Sequence, residues 1–249
     1  MKIGVTLSGG FVKGAAHIGF LKALEYKGLS PSYISGSSAG ALVGFLYAYG
    51  MPLKEMERLG KKISWRKLAR PNLKGGFFSL DGLYNFLTDL TGNPDISELK
   101  IPFAVTVVNL KTLKLEVKTE GSSADFVTAS CSAPPIFSPW RIGNNYYVDG
   151  GLRNCLPAEV TRSMGAEVNI CSNVNFPSRE FNPKSLLEVT YRSSLSSIIE
   201  NQESRLKYCD IVINHKIDSS PFDFSELEKL VDLGFRSTLS QIGEIENWL

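Results

Sequence analysis

Twice in the first fifty residues a short apolar strand runs through a glycine-rich turn into a helix with an apolar face. The first unit is "KIGVTLS" (2–8), then the loop 9–14, then a helix from about Lys13 to Lys27 carrying Ile18, Leu21 and Leu24. The second is "SYIS" (32–35), which enters "GSSAG" (36–40) and a helix to about Tyr49. Strands that alternate with helices in this way point to α/β layering with a largely parallel central sheet. The remaining chain keeps the pattern. Pro52 suits the first turn of another helix. Strands are expected at 103–110 and 113–119, a helix at 123–131, a hairpin over 140–148 and a helix after Pro157. Then come a strand at 167–172, one long helix over 183–209, a strand at 210–217 and a helical end finishing at Trp248. No repeat or linker divides the chain, so one domain over 1–249 is expected.

Composition narrows the function classes. With 43% apolar and 21% charged residues the chain has the balance of a globular protein rather than a disordered one. A net charge of +2 argues against a nucleic-acid partner and leaves peripheral contact with a membrane surface open. No apolar run is long enough to span a bilayer, and the start "MKIGVTLSGG" lacks the long apolar centre of a signal peptide. Cys131, Cys155, Cys171 and Cys209 show no paired spacing. The expectation is four reduced thiols in a cytoplasmic protein, with no metal site and no cofactor.

Three stretches carry chemistry. Gly36-Ser37-Ser38-Ala39-Gly40 has the G-x-S-x-G form of a nucleophile elbow, set between a strand and a helix as such a turn requires. Its bland alternative is a small-residue turn. The loop Gly9-Gly10-Phe11-Val12-Lys13-Gly14 offers successive backbone N–H groups. It fits neither nucleotide fingerprint, because Lys13 precedes Gly14 and Phe11 holds the second glycine position of G-x-G-x-x-G. An oxyanion hole from Gly9, Gly10 and Phe11 suits it better. Asp149-Gly150-Gly151 ends a short strand, where an aspartate commonly shapes a turn without doing chemistry.

Together the three stretches resemble the patatin-like phospholipases, lipid acyl hydrolases related in catalytic core to the cytosolic phospholipases A2. The family pattern G-G-G-x-[RK]-G with a following "AHIG", then G-[TS]-S-[AG]-G, then D-G-[GA], is met in order. "ASCSAPPIFSPW" (129–140) and "NCLP" (154–157) also match, and the similarity runs from residue 2 to about 215. The resemblance implies a three-layer sandwich with helices on both faces of the sheet. It implies Ser38 as nucleophile and Asp149 as its base without histidine, with Lys13, Gly14, Gly36, Gly40, Gly150 and Gly151 supporting the motifs. Substrates implied are phospholipids, lysophospholipids or related acyl esters, with no metal or organic cofactor. For such a pair to work, burial must raise the aspartate pKa above its usual value of about 3.9.

Three points stay open at this stage. His17 and His215 are the only histidines. His17 is expected to pack or hydrogen-bond, while His215 would complete a competing Ser38–Asp–His215 triad. Phe11 stands where the family has glycine; either its backbone is regular or the hole is altered, which leaves a lipid-binding or regulatory protein as an alternative to an enzyme. Finally, the excursion 60–80 mixes Arg66, Lys67, Arg70 and Lys74 with Trp65, Phe77 and Phe78. It is a candidate lid or lipid-surface contact, or simply a packing loop with solvated charges.

Overall fold

Strand β1 (Ile3–Leu7) is buried along its whole length, which a strand in the middle of a sheet covered on both faces must be. The computed structural model describes residues 1–62, 65–72, 75–176, 186–218, 220 and 222–243. After β1 come α1 (Ala16–Tyr26), β2 (Tyr33–Gly36), α2 (Ala39–Tyr49), α3 (Leu53–Lys62), α4 (Trp65–Leu68), β3 (Arg70–Pro71) and β4 (Phe78–Ser79). They are followed by α5 (Asp81–Thr91), β5 (Phe103–Asn109), β6 (Lys114–Lys118), α6 (Ser123–Cys131), β7 (Trp140–Ile142) and β8 (Asn145–Asp149). The chain continues with α7 (Ala158–Ser163), β9 (Val168–Asn173), α8 (Leu186–Glu203), β10 (Ile211–Asn214) and α9 (Leu227–Gln241).

The main sheet runs β10-β9-β1-β2-β5-β8-β7, with β6 added to β5. From β10 to β5 all pairs are parallel; β6, β7 and β8 join antiparallel. The expected largely parallel three-layer sandwich is the observed architecture. On one face α7 meets the small polar residues of the strands: Thr161 Oγ1 lies 2.7 Å from Thr6 Oγ1 and 2.6 Å from Ser35 Oγ. On the other, α1 and α9 cross backbone to backbone at Gly19 and Gly234, where a Cβ on either would strike the opposite helix.

Several expectations shift in detail. The first helix begins at Ala16, after a 3-10 turn over Phe11–Ala15 in which Gly14 packs closely against Ala39. The long helix is shorter than 183–209: α8 stops at Glu203, and a 3-10 turn covers Leu206–Tyr208. Its expected start at 183–185 and the chain end at Trp248 lie outside the described residues.

The cysteine expectation is corrected. Cys171 and Cys209 form a disulfide with a Cα separation of 6.0 Å, and only Cys131 and Cys155 are free thiols. Strand pairing explains it: β10 lies against β9 with Val212 opposite Cys171, so Cys209, two residues before β10, reaches the β9 thiol. Spacing alone carried no such signal, and the inference of a reducing compartment from unpaired cysteines loses its premise. The bridge spans 38 positions, a closure worth roughly 4 kcal/mol on chain-entropy grounds. Urea unfolding with and without dithiothreitol should show a loss of about that size.

Candidate active site

The register of β5 brings the two motif residues together. Val105 pairs with Gly36 on one edge and Lys118 on the other, while Val107 pairs with Asp149 and Glu116. Since β6 occupies one edge throughout, β2 and β8 share the other edge. β2 runs parallel to β5 and β8 antiparallel, so the two strands meet head to head with their C-terminal ends facing across Thr106. One end continues through Ser37 into Ser38; the other is Asp149. Ser130, from α6, fills the gap, with its hydroxyl accepting from the Ser38 N–H at 2.8 Å and donating to the Thr106 carbonyl at 2.8 Å.

The elbow is strained as such turns are. Ser38 has φ 52° and ψ −124°, a conformation that a non-glycine residue holds only when its surroundings impose it. Close packing imposes it here. A Cβ at Gly36 would strike the Gly40 backbone, and one at Gly40 the Leu7 and Ser8 carbonyls. The Ser37 N–H donates to Leu7 O at 3.3 Å. Gly150 likewise packs against Thr106, which fixes the turn after Asp149.

Asp149 is buried, and burial pushes its pKa up to about 6 against the opposing pull of hydrogen bonds from the Ser38 hydroxyl and the Gly151 N–H. The Gly151 bond to Oδ1 measures 2.7 Å. The carboxylate is thus ionised at neutral pH yet a far better proton acceptor than a solvated aspartate. Cys131 and Cys155 flank it, and burial together with the Asp149 charge raises both thiols, Cys155 to about 12. Both stay protonated and unreactive at neutral pH.

In the glycine loop the Gly9 N–H donates to Cys155 O at 3.0 Å, and the Gly9 carbonyl accepts from Asn175 Nδ2 at 2.8 Å. Gly9 therefore anchors the loop, and Gly10 and Phe11 follow it at the mouth of the site. Gly10 lies against Val174, where a Cβ would collide. Phe11 has φ 51°, so its backbone is not regular; a bulky residue there stores on the order of 1–3 kcal/mol. Its ring meets Phe222 edge-on at 5.2 Å and stacks with Phe137 at 6.4 Å. Lys13 is buried, donates from Nζ to Ile217 O at 3.3 Å, and has its pKa lowered by burial and by Arg192.

The histidines lie elsewhere in a buried chain. Ser8 O is only an acceptor, so His17 Nε2 must donate to it at 2.8 Å, leaving Nδ1 to accept from Ser172 Oγ at 2.8 Å. Ser172 Oγ lies 2.8 Å from His215 Nε2, and His215 Nδ1 lies 2.6 Å from Ser237 Oγ. Burial lowers His17 to about 4 and His215 to about 3. Both nitrogens of His215 are engaged and Ser38 is not among its partners, so the structure does not assemble the competing triad.

Two cavities open at Ser38. One of about 60 Å³ lies over Asp149, Gly10 and Phe11 and is walled by α8 through Ser194, Leu195 and Ile198. The other, of about 500 Å³, is apolar and extends between Leu42, Leu46, Met56, Leu83 and Phe86. The excursion 60–80 contributes Leu68, Phe78 and Leu80 to this second wall, while Lys67, Arg70 and Phe77 are exposed. Lys74 and the side chains of Trp65 and Arg66 lie outside the described residues. Asn175, Phe222 and the α8 residues had no motif to reveal them and reach the site only through packing; Ser130 lies in the matching segment 129–140, where nothing marked its role.

A three-layer sandwich with a strained serine between strand and helix and a buried acid facing it defines a class of α/β proteins. The patatin-like phospholipase family profile matches residues 5–162. The chain is 30% identical over 178 residues to lysophospholipase NTE1 of Mycosarcoma maydis, covering 67% of this chain and 9% of that protein. It is 30% identical over 185 residues to patatin-like phospholipase domain-containing protein 7 of Mus musculus, covering 69% and 13%. The fold matches VipD from Legionella pneumophila with a TM-score of 0.65 at 17% identity, over 98% of this chain and 67% of that one. The chain belongs to the patatin-like phospholipase family. It spans about a tenth of the NTE1 and mouse proteins, and 49% of an uncharacterized NTE family protein of Mycobacterium tuberculosis.

Proposed function

We propose that the chain is a serine lipid acyl hydrolase that works through Ser38 and Asp149. The observation that carries this is the placement of buried Asp149 with Ser38 in the wall of one small cavity, beside an apolar cavity of about 500 Å³ that also opens at Ser38. Asp149 takes the hydroxyl proton as Ser38 attacks an ester carbonyl, and the N–H groups of Gly10 and Phe11 face the developing oxyanion. The alcohol leaves with that proton. Water, deprotonated by Asp149, then releases the fatty acid from the acyl-enzyme. The cavity is lined by apolar side chains and opens at Ser38, which supports an acyl chain running into it from the ester. Exposed Phe77, with exposed Lys67 and Arg70, supports peripheral contact with a lipid surface.

A fluorophosphonate probe should label Ser38, and Ser38→Ala should reduce hydrolysis of a palmitoyl ester by at least about 10³-fold. Folded protein that resists labelling, with Ser38→Ala retaining the wild-type rate, would sink the proposal. The strained Phe11 favours one second reading, a lipid-binding protein without turnover. It requires wild type to bind lipid and not hydrolyse it, and Phe11→Gly to gain activity.

A further inference from the structure

A third cavity, of about 320 Å³, is lined by Lys114, Leu115, Arg153, Asn201 and Arg205. It neighbours the catalytic cleft along two walls. Leu152 lines the cleft and Arg153 follows it directly; Ile198 of α8 lines the cleft and Asn201 stands one helical turn further on. Three cations converge here, and among the described residues only Arg205 has a carboxylate partner, with Nη1 3.0 Å from Glu159 Oε1. Lys114 and Arg153 have no acidic partner among the described residues; Arg153 Nη1 donates to Leu113 O at 2.8 Å, which holds the guanidinium in place. The Arg205 Nε donor and the Asn201 side-chain oxygen are buried without hydrogen-bond partners, as is the second oxygen of Glu159. An orphaned buried donor is costly, and an amide can turn its NH₂ toward an acceptor. Three cations against the single Glu159 carboxylate suit a ligand that is anionic and rich in acceptor oxygens, which is the chemistry of a phosphate.

We infer that this pocket binds the phosphoryl group of the substrate headgroup while the ester sits at Ser38. The headgroup role rests on the hydrolase reading above; phosphate binding by the pocket does not. Arg153 and Arg205 supply forked donors, Lys114 a point charge, and the acyl chain extends the other way into the apolar cavity.

The test uses the full chain with two monoesters of the same acyl chain, 1-palmitoyl-glycerol 3-phosphate and 1-palmitoylglycerol. Each cation removed should lower the ratio of kcat/KM for the phosphorylated over the neutral ester by about tenfold, so Lys114→Gln with Arg153→Gln should lower it by about 100-fold. Lys114→Arg should keep most of it. A merely structural loss would lower both rates together and leave the ratio unchanged, which overturns the headgroup role. Calorimetric titration with glycerol 3-phosphate reads the pocket even if the chain hydrolyses neither ester. Binding to wild type that the double variant loses supports the pocket, and no binding overturns it. Competition of glycerol 3-phosphate with the phosphorylated ester puts the headgroup phosphate there. Binding without competition assigns the pocket to a free phosphate and overturns the headgroup role.

Discussion

Asp149→Asn is expected to reduce ester hydrolysis by about 10³–10⁴-fold and, at the same time, to stabilise the fold by roughly 3 kcal/mol at neutral pH. The first effect follows from removing the proposed base while keeping its shape. The second follows from the direction of the pKa shift. Burial raises Asp149 from 3.8 to about 6 in the folded chain. Between those values the folded state binds more protons than the unfolded one, so stability falls as pH rises, by about 1.4 kcal/mol per unit. Above pH 6 the full cost of holding a buried charge is present, and below about pH 4 it is gone. Asparagine resembles the protonated carboxyl, so its advantage should be largest at pH 7 and vanish near pH 4. Urea unfolding of both proteins at the two pH values checks this. A variant less stable than wild type at pH 7 would contradict it. For wild type, kcat/KM should fall about tenfold per unit as pH drops below 6 and be flat above, because the ionised carboxylate is the active form.

The second large effect is acid instability set by the histidine chain. His17 and His215 are buried neutral, with folded pKa values of about 4 and 3 against 6.5 unfolded. Depressed values mean stability that is whole above pH 6.5 and lost as pH falls toward 4 and then 3, at about 1.4 kcal/mol per unit for each ring. Protonating His17 would also turn its Nδ1 into a donor toward Ser172 Oγ, which already faces His215 Nε2. Asp149 works in the opposite sense between pH 6 and about 4, so the net loss there should be about 1.4 kcal/mol per unit. Urea midpoints from pH 7 to 4.5 measure it, and His215→Gln should flatten the slope. A curve already flat in wild type would refute this account. Because His17 grips Ser8 O and Ser8 leads into the glycine loop, activity should fail together with the fold.

These two effects separate what could be seen along the chain from what could not. The strand–glycine–helix units, the elbow at Ser38 and the turn at Asp149 were legible because each depends on local backbone chemistry. A residue without a Cβ is needed where one backbone crosses another, whatever surrounds it. The fold class followed from the same alternation, since strands separated by helices favour parallel pairing. The departure at Phe11 was visible too, although only its φ of 51° shows that the strain is accepted.

Long-range pairing decided the rest. That Ser38 and Asp149 meet depends on β2 and β8 ending on one edge of β5, a register to which residues over a hundred positions apart contribute. The Cys171–Cys209 bridge and the Ser172–His215 contact depend on β9 lying between β1 and β10. The apolar cavity and the cationic pocket are spaces left between elements, and no residue encodes a space by itself. Burial, which raises the pKa of an ordinary aspartate and keeps an ordinary histidine neutral within a hydrogen-bonded chain, is a property of the whole packed chain. The sequence could name the residues; only their enclosure gives them their pKa values.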